Sequence, residues 1–195
     1  MTGQTFDLGP QALIVARLAE GVTDEHLDGR TPCPQYAVRH LLGHLAGLAV
    51  AFRDAAGKEL GASTDTAPGS RLPDIGPDWR QALPKALDEL AGAWRDPRAW
   101  TGTTRAGGVT LPGAVAGAVA ADELVVHGWD LARATGQEYV ADESALRAAH
   151  AFLAAAAQDP TGGGGIFGPV VAVPDGASLL DRAIGLSGRD PGWTP

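Results

Sequence analysis

The sequence predicts an all-α protein, a four-helix bundle with a short hairpin and a small C-terminal appendage. Three observations predict it. Apolar residues recur at helical spacing in long segments, most cleanly at Val38, Leu41, Leu42, Leu45, Leu48, Ala49 and Phe52. The segment after Pro112 is rich in Ala and apolar on nearly every side, the pattern of a helix surrounded by others. Between the third and fourth helical segments, Trp100 to Leu111 carries the Thr and Val content of a short hairpin.

From about Gln11 to Leu27, Leu13, Ala16, Leu18, Ala19 and Val22 form the first helical stripe. Gly21 and the polar run Thr23-Asp-Glu-His26 blur its end, and His26 reads as a solvated side chain. Thr31-Pro-Cys-Pro34 reads as the entry to the second helix, because proline suits a first turn. Ala56 to Gly76 lacks periodicity and reads as a long connection of the kind that borders binding sites. Asp78 with Gln81 has the spacing of a capping box for a third helix, Trp79 to Trp94, which Pro84 is expected to kink and Asp96-Pro97 to end. The hairpin should turn around Ala106-Gly-Gly108. Pro112 opens the fourth helix, and Gly136 is a natural left-handed terminator for it. A fifth helix spans about Asp142 to Ala157. Gly162 to Gly165 reads as a flexible joint, since it lacks the Gly-Lys-Ser/Thr and helix start of a phosphate loop. Beyond it, Pro169 to Pro174 should be extended and Ala177 to Leu186 a short helix closed by Gly188, with the tail packed on the bundle.

Composition narrows the function. A hydrophobic fraction of 45% suits a globular core, and a net charge of −8 offers no basic footprint for nucleic acid or anionic lipid. The longest uncharged stretch, Ala106 to Ala121, is broken by Pro112 and falls short of the ~20 residues that cross a bilayer. No basic start followed by an apolar core precedes the first helix, so the expected location is the cytoplasm. Cys33 is the sole cysteine, which excludes an internal disulfide and fits a reducing compartment; a small buried hydrophobe is its commoner role, a nucleophile the alternative.

Chemistry concentrates between Ala121 and Gly136. At 100° per residue, Glu123, His127 and Asp130 fall within a sector of about 60°, flanked by Val119, Val126, Leu124 and Leu131. Glu and His four apart come within roughly 5–6 Å at Cβ, close enough to share one cation, and a buried carboxylate needs a partner or a metal. A Glu–His hydrogen bond inside a helical core satisfies the same pattern. On the second helix, His40 and His44 form a second such pair. His44 lies about 90° from the centre of the apolar face and His40 about 130°, so His44 is the inward group and His40 points to water. A boundary histidine held by one hydrogen bond is the alternative for His44.

Thr31-Pro-Cys-Pro-Gln-Tyr-Ala-Val-Arg-His-Leu-Leu-Gly-His44, Glu123-Leu-Val-Val-His-Gly-Trp-Asp-Leu-Ala132, and Leu180-Asp-Arg182 with Gly188-Arg-Asp-Pro191 together resemble the metal-binding DinB-like family that includes mycothiol-dependent maleylpyruvate isomerases. The resemblance runs nearly full length. It implies a DinB-like four-helix bundle with His44, Glu123 and His127 as ligands of a divalent metal. Tyr36 stands where an aromatic, often Trp, is usual, and His40 where an acidic residue is frequent; neither change removes a ligand. Zinc is the expected metal, with nickel as the alternative. Two imidazoles and one carboxylate leave a fourth position to water, the ligand count of a catalytic centre, and Asp130 is placed to orient His127 from behind.

The resemblance further implies an enzyme, a mycothiol-dependent isomerase or S-transferase whose sulfur comes from mycothiol or a similar small thiol. The expected partners are that thiol and a small organic substrate, with homodimerisation left open. A non-catalytic metal-binding or sensing bundle is the alternative. Arg182 and Arg189, the only Lys or Arg residues after Arg147, suit a carboxylate substrate, although surface charge or pairing with Asp181 and Asp190 is the commoner role of such residues. The expected division is a metal-binding bundle over residues 1–158 and a C-terminal extension over 159–195.

Overall fold

The computed structural model describes residues 5–67, 69–158 and 167–195. Its elements, in chain order, are α1 (Gly9–Glu20), a 3-10 turn (Asp24–His26), α2 (Val38–Gly57), the single turn α3 (Ala62–Asp65), α4 (Trp79–Trp94), a 3-10 turn (Pro97–Trp100), β1 (Thr103–Ala106), β2 (Val109–Pro112), α5 (Gly113–Thr135), α6 (Glu143–Ala157) and α7 (Leu179–Leu186). Helices α1, α2, α4 and α5 form the bundle, with α2 and α1 each packed against both α4 and α5. Leu41, Leu42 and Leu45 from α2 meet Leu83, Leu87 and Leu90 from α4 and Leu124 and Leu131 from α5 in one core.

Helix α5 is buried on a second side too. Val126 and Trp129 pack with Leu153 of α6 and Ala183 and Ile184 of α7 in a separate small cluster. This double burial accounts for a helix apolar almost all round. It also fixes the tail on the bundle, where Arg133 of α5 donates to the carbonyls of Pro191 and Trp193. Among the described residues, no helix is long and apolar enough to cross a membrane. The Gly162–Gly165 joint and the expected boundary at 158/159 involve positions outside the described residues.

Several helix ends differ from expectation for local reasons. α1 stops at Glu20, not near Leu27, because the chain turns at Gly21 and re-forms as a 3-10 turn in which His26 Nδ1 accepts from Thr23 N–H. α2 begins at Val38, not at Pro34; Thr31 Oγ1 lies 2.8 and 2.7 Å from the Cys33 and Tyr36 carbonyls and ties residues 31–36 into a turn. His40 is half-buried, and its Nδ1 accepts the Ala37 N–H at the helix start. The Asp78–Gln81 capping box does not form, as Asp78 makes no side-chain cap, and α4 continues through Pro84. The hairpin forms as expected: Ala106 pairs with Val109 across Gly107 and Gly108, whose φ values of 59° and 79° fit a type I′ turn. Gly136, at φ 67°, ends α5.

Candidate metal centre

Two glycines let the bundle close around the site. On α2, Gly43 precedes His44, and a Cβ at Gly43 would stand 2.6–2.8 Å from the Asp74 backbone, so only glycine lets the chain at Asp74 lie against this turn. On α5, Gly128 follows His127 and faces Tyr139 and Val15, with a Cβ position 3.2 Å from both. Beneath that face, Gln11 Nε2 donates to the Leu124 carbonyl and the Tyr139 hydroxyl donates to the Val125 carbonyl. These bonds pin α1 and the 137–142 connection to the turn of α5 that carries His127.

The side chains converge as follows. His44 Nε2 lies 3.2 Å from Glu123 Oε2, and His127 Nε2 lies 3.1 Å from the same oxygen. One potential donor atom from each of the three residues falls within 4.8 Å of the others. The two imidazoles meet nearly edge to face, at 4.6 Å between centroids and 80° between planes. His127 Nδ1 is 2.9 Å from Asp130 Oδ2, and the Asp130 side chain is fully buried. His40 stands outside the cluster, engaged in capping α2.

Electrostatics follow from this packing. Burial alone would push His127 down, but hydrogen bonds with Asp130 and Glu123 raise its pKa to about 9. Both ring nitrogens face carboxylates, so without a cation the ring keeps both protons. Burial would raise Glu123, yet His127 and His44 hold it well below the usual carboxylate range. Asp130 is lowered despite its burial, chiefly by Arg189 and then by His127. The group is therefore two anions around a cationic ring, with His44 on the open side beside Tyr36, whose ring centroid is 5.6 Å away.

A divalent cation fits this donor set. Ligand bonds of about 2.0–2.1 Å in tetrahedral geometry place adjacent donors roughly 3.3 Å apart. The two Glu123–imidazole distances, 3.2 and 3.1 Å, are close to that edge. Replacing the His127 Nε2 proton by a metal would leave Nδ1–H bound to Asp130, the usual way a carboxylate fixes a ligating tautomer.

The two C-terminal arginines part company. Arg189 enters the site's rear wall, its Nε and Nη2 reaching the Asp130 carboxylate at 3.3 and 3.1 Å and its Nη1 the Ser187 carbonyl at 3.1 Å. A carboxylate substrate would have to use the guanidinium N–H groups these contacts leave over. Arg182 lies elsewhere, bordering a surface cavity with His150, Val171 and Leu186. Sequence reasoning passed over Asp122. It is 3% exposed, its Oδ1 has no hydrogen-bond partner among the described residues, and burial together with the Glu123 charge holds its carboxyl well above the usual range. The adjacent acidic pair Asp122-Glu123 in an apolar helix was the signal. Cys33, half-buried in the 31–36 turn, is raised by burial more than Arg189 lowers it, which keeps the thiol protonated.

A family model described as the mycothiol maleylpyruvate isomerase N-terminal domain matches residues 9–132. Comparison with curated proteins gives no match. Among solved structures, the crystal structure of the mycothiol-dependent maleylpyruvate isomerase is similar at 20% identity and a TM-score of 0.49, over 73% of this chain and 65% of that one. A histidine-to-alanine mutant of that isomerase is similar at 19% identity, with the same TM-score and coverage. The chain thus spans 65% of the length of the solved isomerase chains.

Proposed function

The chain belongs to the mycothiol maleylpyruvate isomerase N-terminal domain family, and from that premise we propose that it is a metal-dependent enzyme that presents a small thiol of the mycothiol type to an organic substrate, as an isomerase or S-transferase. The observation that carries this reading is the sharing of Glu123 Oε2 by the His44 and His127 Nε2 atoms at 3.2 and 3.1 Å. A divalent ion held by His44, Glu123 and His127, zinc by ligand type and nickel as the alternative, would supply Lewis acidity and a coordination position at which a thiol loses its proton near neutral pH.

The chain's own residues prepare that position. Glu123 contributes one negative charge, so a dication and this ligand set keep a net positive charge toward an incoming thiol. Asp130 holds the His127 proton at Nδ1 and leaves Nε2 directed at Glu123. Leu124, Val126 and Leu131 flank the stripe on α5 and are buried. Tyr36 and the 31–36 turn border the His44 side. No sulfur is asked of the protein, consistent with a Cys33 thiol that stays protonated.

The test is spectroscopic. In cobalt-substituted protein, a cysteinyl thiol or mycothiol should give an intense sulfur-to-metal charge-transfer band in the near ultraviolet and release protons, while a serine analogue should do neither. Glu123→Gln should weaken the band without unfolding the bundle. If no small thiol perturbs the cobalt spectrum at about millimolar concentration, far above useful affinity, the thiol-enzyme reading falls to a non-catalytic metal-binding bundle.

A further inference from the structure

Asp130 has two side-chain partners, one three residues away on its own helix and one 59 residues on in the C-terminal tail. Its Oδ2 is 2.9 Å from His127 Nδ1 on the same helix and 3.1 Å from Arg189 Nη2, while its Oδ1 is 3.3 Å from Arg189 Nε. Arg189 lies well beyond residue 132, where the family match ends. The turn after α7 aims it inward: Gly188 adopts φ 83°, its N–H donates to the Gly185 carbonyl, and the Arg189 N–H donates to the Ile184 carbonyl. A Cβ at Gly188 would stand 2.8 Å from the Gly168 Cα, so this reversal needs glycine both for its backbone angle and for its contact. The Arg189 side chain is 15% exposed and that of Asp130 0%, so the pair forms within the protein.

We propose that Arg189 is a positioning residue for the His44–Glu123–His127 site, acting through Asp130. A planar guanidinium meeting both oxygens of a carboxylate fixes the carboxylate plane as well as its charge, which an ammonium or a single hydrogen bond does not. A carboxylate fixed in that plane accepts the His127 Nδ1 proton and holds Nε2 toward Glu123 and His44. Without Arg189, Asp130 would be a buried anion with one partner, free to rotate away from the ring. Docking of the C-terminal segment and readiness of the site are then one event. By reciprocity, filling the site should tighten the tail. The consequence for metal affinity rests on the cation reading above; the consequence for the His127 ring does not.

The experiment compares the full-length protein with Arg189→Met, Arg189→Lys, Asp130→Asn and the Asp130→Asn/Arg189→Met double variant, each first shown to be folded by near-ultraviolet circular dichroism. In metal-free protein at fixed pH, nitrogen-15 NMR should show a slowly exchanging downfield His127 Nδ1 proton that Arg189→Met loses. With cobalt as the probe, Arg189→Met should raise the dissociation constant about 10–100-fold, the range for losing a group that orients a ligand. Arg189→Lys, which keeps charge but not the fork, should fall nearer Met than the parent. In the Asp130→Asn background, Arg189→Met should add little. Arginine that merely pins the tail would instead leave the His127 proton in place, keep the cobalt affinity of folded protein within about twofold, which is inside ordinary scatter for distant surface changes, or add its full effect to Asp130→Asn; any of these overturns the proposal. If the parent takes up no cobalt, the cation reading fails and the His127 proton alone decides: its loss in Arg189→Met upholds the positioning role, and its persistence refutes it.

Discussion

His127 is the residue on which the site's chemistry turns, and its environment predicts how the metal-free protein responds to pH. Its pKa rises from 6.5 to about 9 in the folded state, so its stabilising contribution is complete below about pH 6.5 and is lost as pH rises through 9. Asp122 acts in the same direction. Burial and the Glu123 charge let the folded form keep a proton that the unfolded chain releases above its ordinary value of 3.8, so stability falls with rising pH there too. Glu123 opposes them on the acid side, because its lowered pKa gives stability present above 4.5 and lost on acidification. The metal-free protein should therefore melt highest in weak acid, with a melting temperature that falls between pH 6.5 and 9 as His127 loses its proton, and Asp122→Asn should lessen the loss of stability that begins above pH 3.8. A melting temperature that is level or rising over the same interval contradicts the assignment. His40 provides the contrast on α2: His40→Ala removes the acceptor for the Ala37 N–H and should cost about 0.5–2 kcal/mol in denaturant unfolding.

Helices α2 and α5 each carry a glycine beside the ligand histidine, Gly43 under the Asp74 backbone and Gly128 under Tyr139 and Val15, and α2 offers an internal comparison. Gly43→Ala would force a Cβ into the Asp74 backbone and should destabilise by about 1–3 kcal/mol, shifting His44 and weakening cation uptake. Gly47, one turn on, has nothing within 4 Å of its Cβ position, so Gly47→Ala should stabilise by about 0.5–1 kcal/mol through helix propensity alone. Urea denaturation of the two variants checks both signs. The helices themselves were legible in the sequence because burial imposes a 3.6-residue period, clearest in Val38 to Phe52. Their ends were less so. The Thr31 hydroxyl takes the carbonyls of a turn where proline alone suggested a helix entry, and Asp78 has the spacing of a cap without its geometry. The one-turn α3, closed by Thr64 against Gly61, leaves no periodic trace.

Across the whole molecule, helical wheels turn His44, but not His40, toward a neighbour and put Glu123, His127 and Asp130 on one stripe, while it was the family resemblance that implied residues 44, 123 and 127 as one set. Contacts at long sequence separation were not legible. Arg189 reaches Asp130 across 59 residues through a tail whose own pattern suggested only surface charge or a substrate contact, and no periodicity links the two. Asp122 was hidden for another reason, since one acidic residue beside a ligand reads as surface charge until packing buries it. The helices therefore follow from pattern and the ligand set from resemblance, while the tail's part in the site follows from packing at long sequence separation. The central claim, that His44, Glu123 and His127 hold a divalent ion, is tested most directly by the metal content of the purified protein beside His44→Ala, His127→Ala and His40→Ala. The parent and His40→Ala should carry about one ion per chain, as expected of a single three-ligand site, and the other two variants should lose most of it; a parent that stays metal-free after loading, or a His40→Ala that is stripped while His44→Ala keeps its metal, would contradict the account.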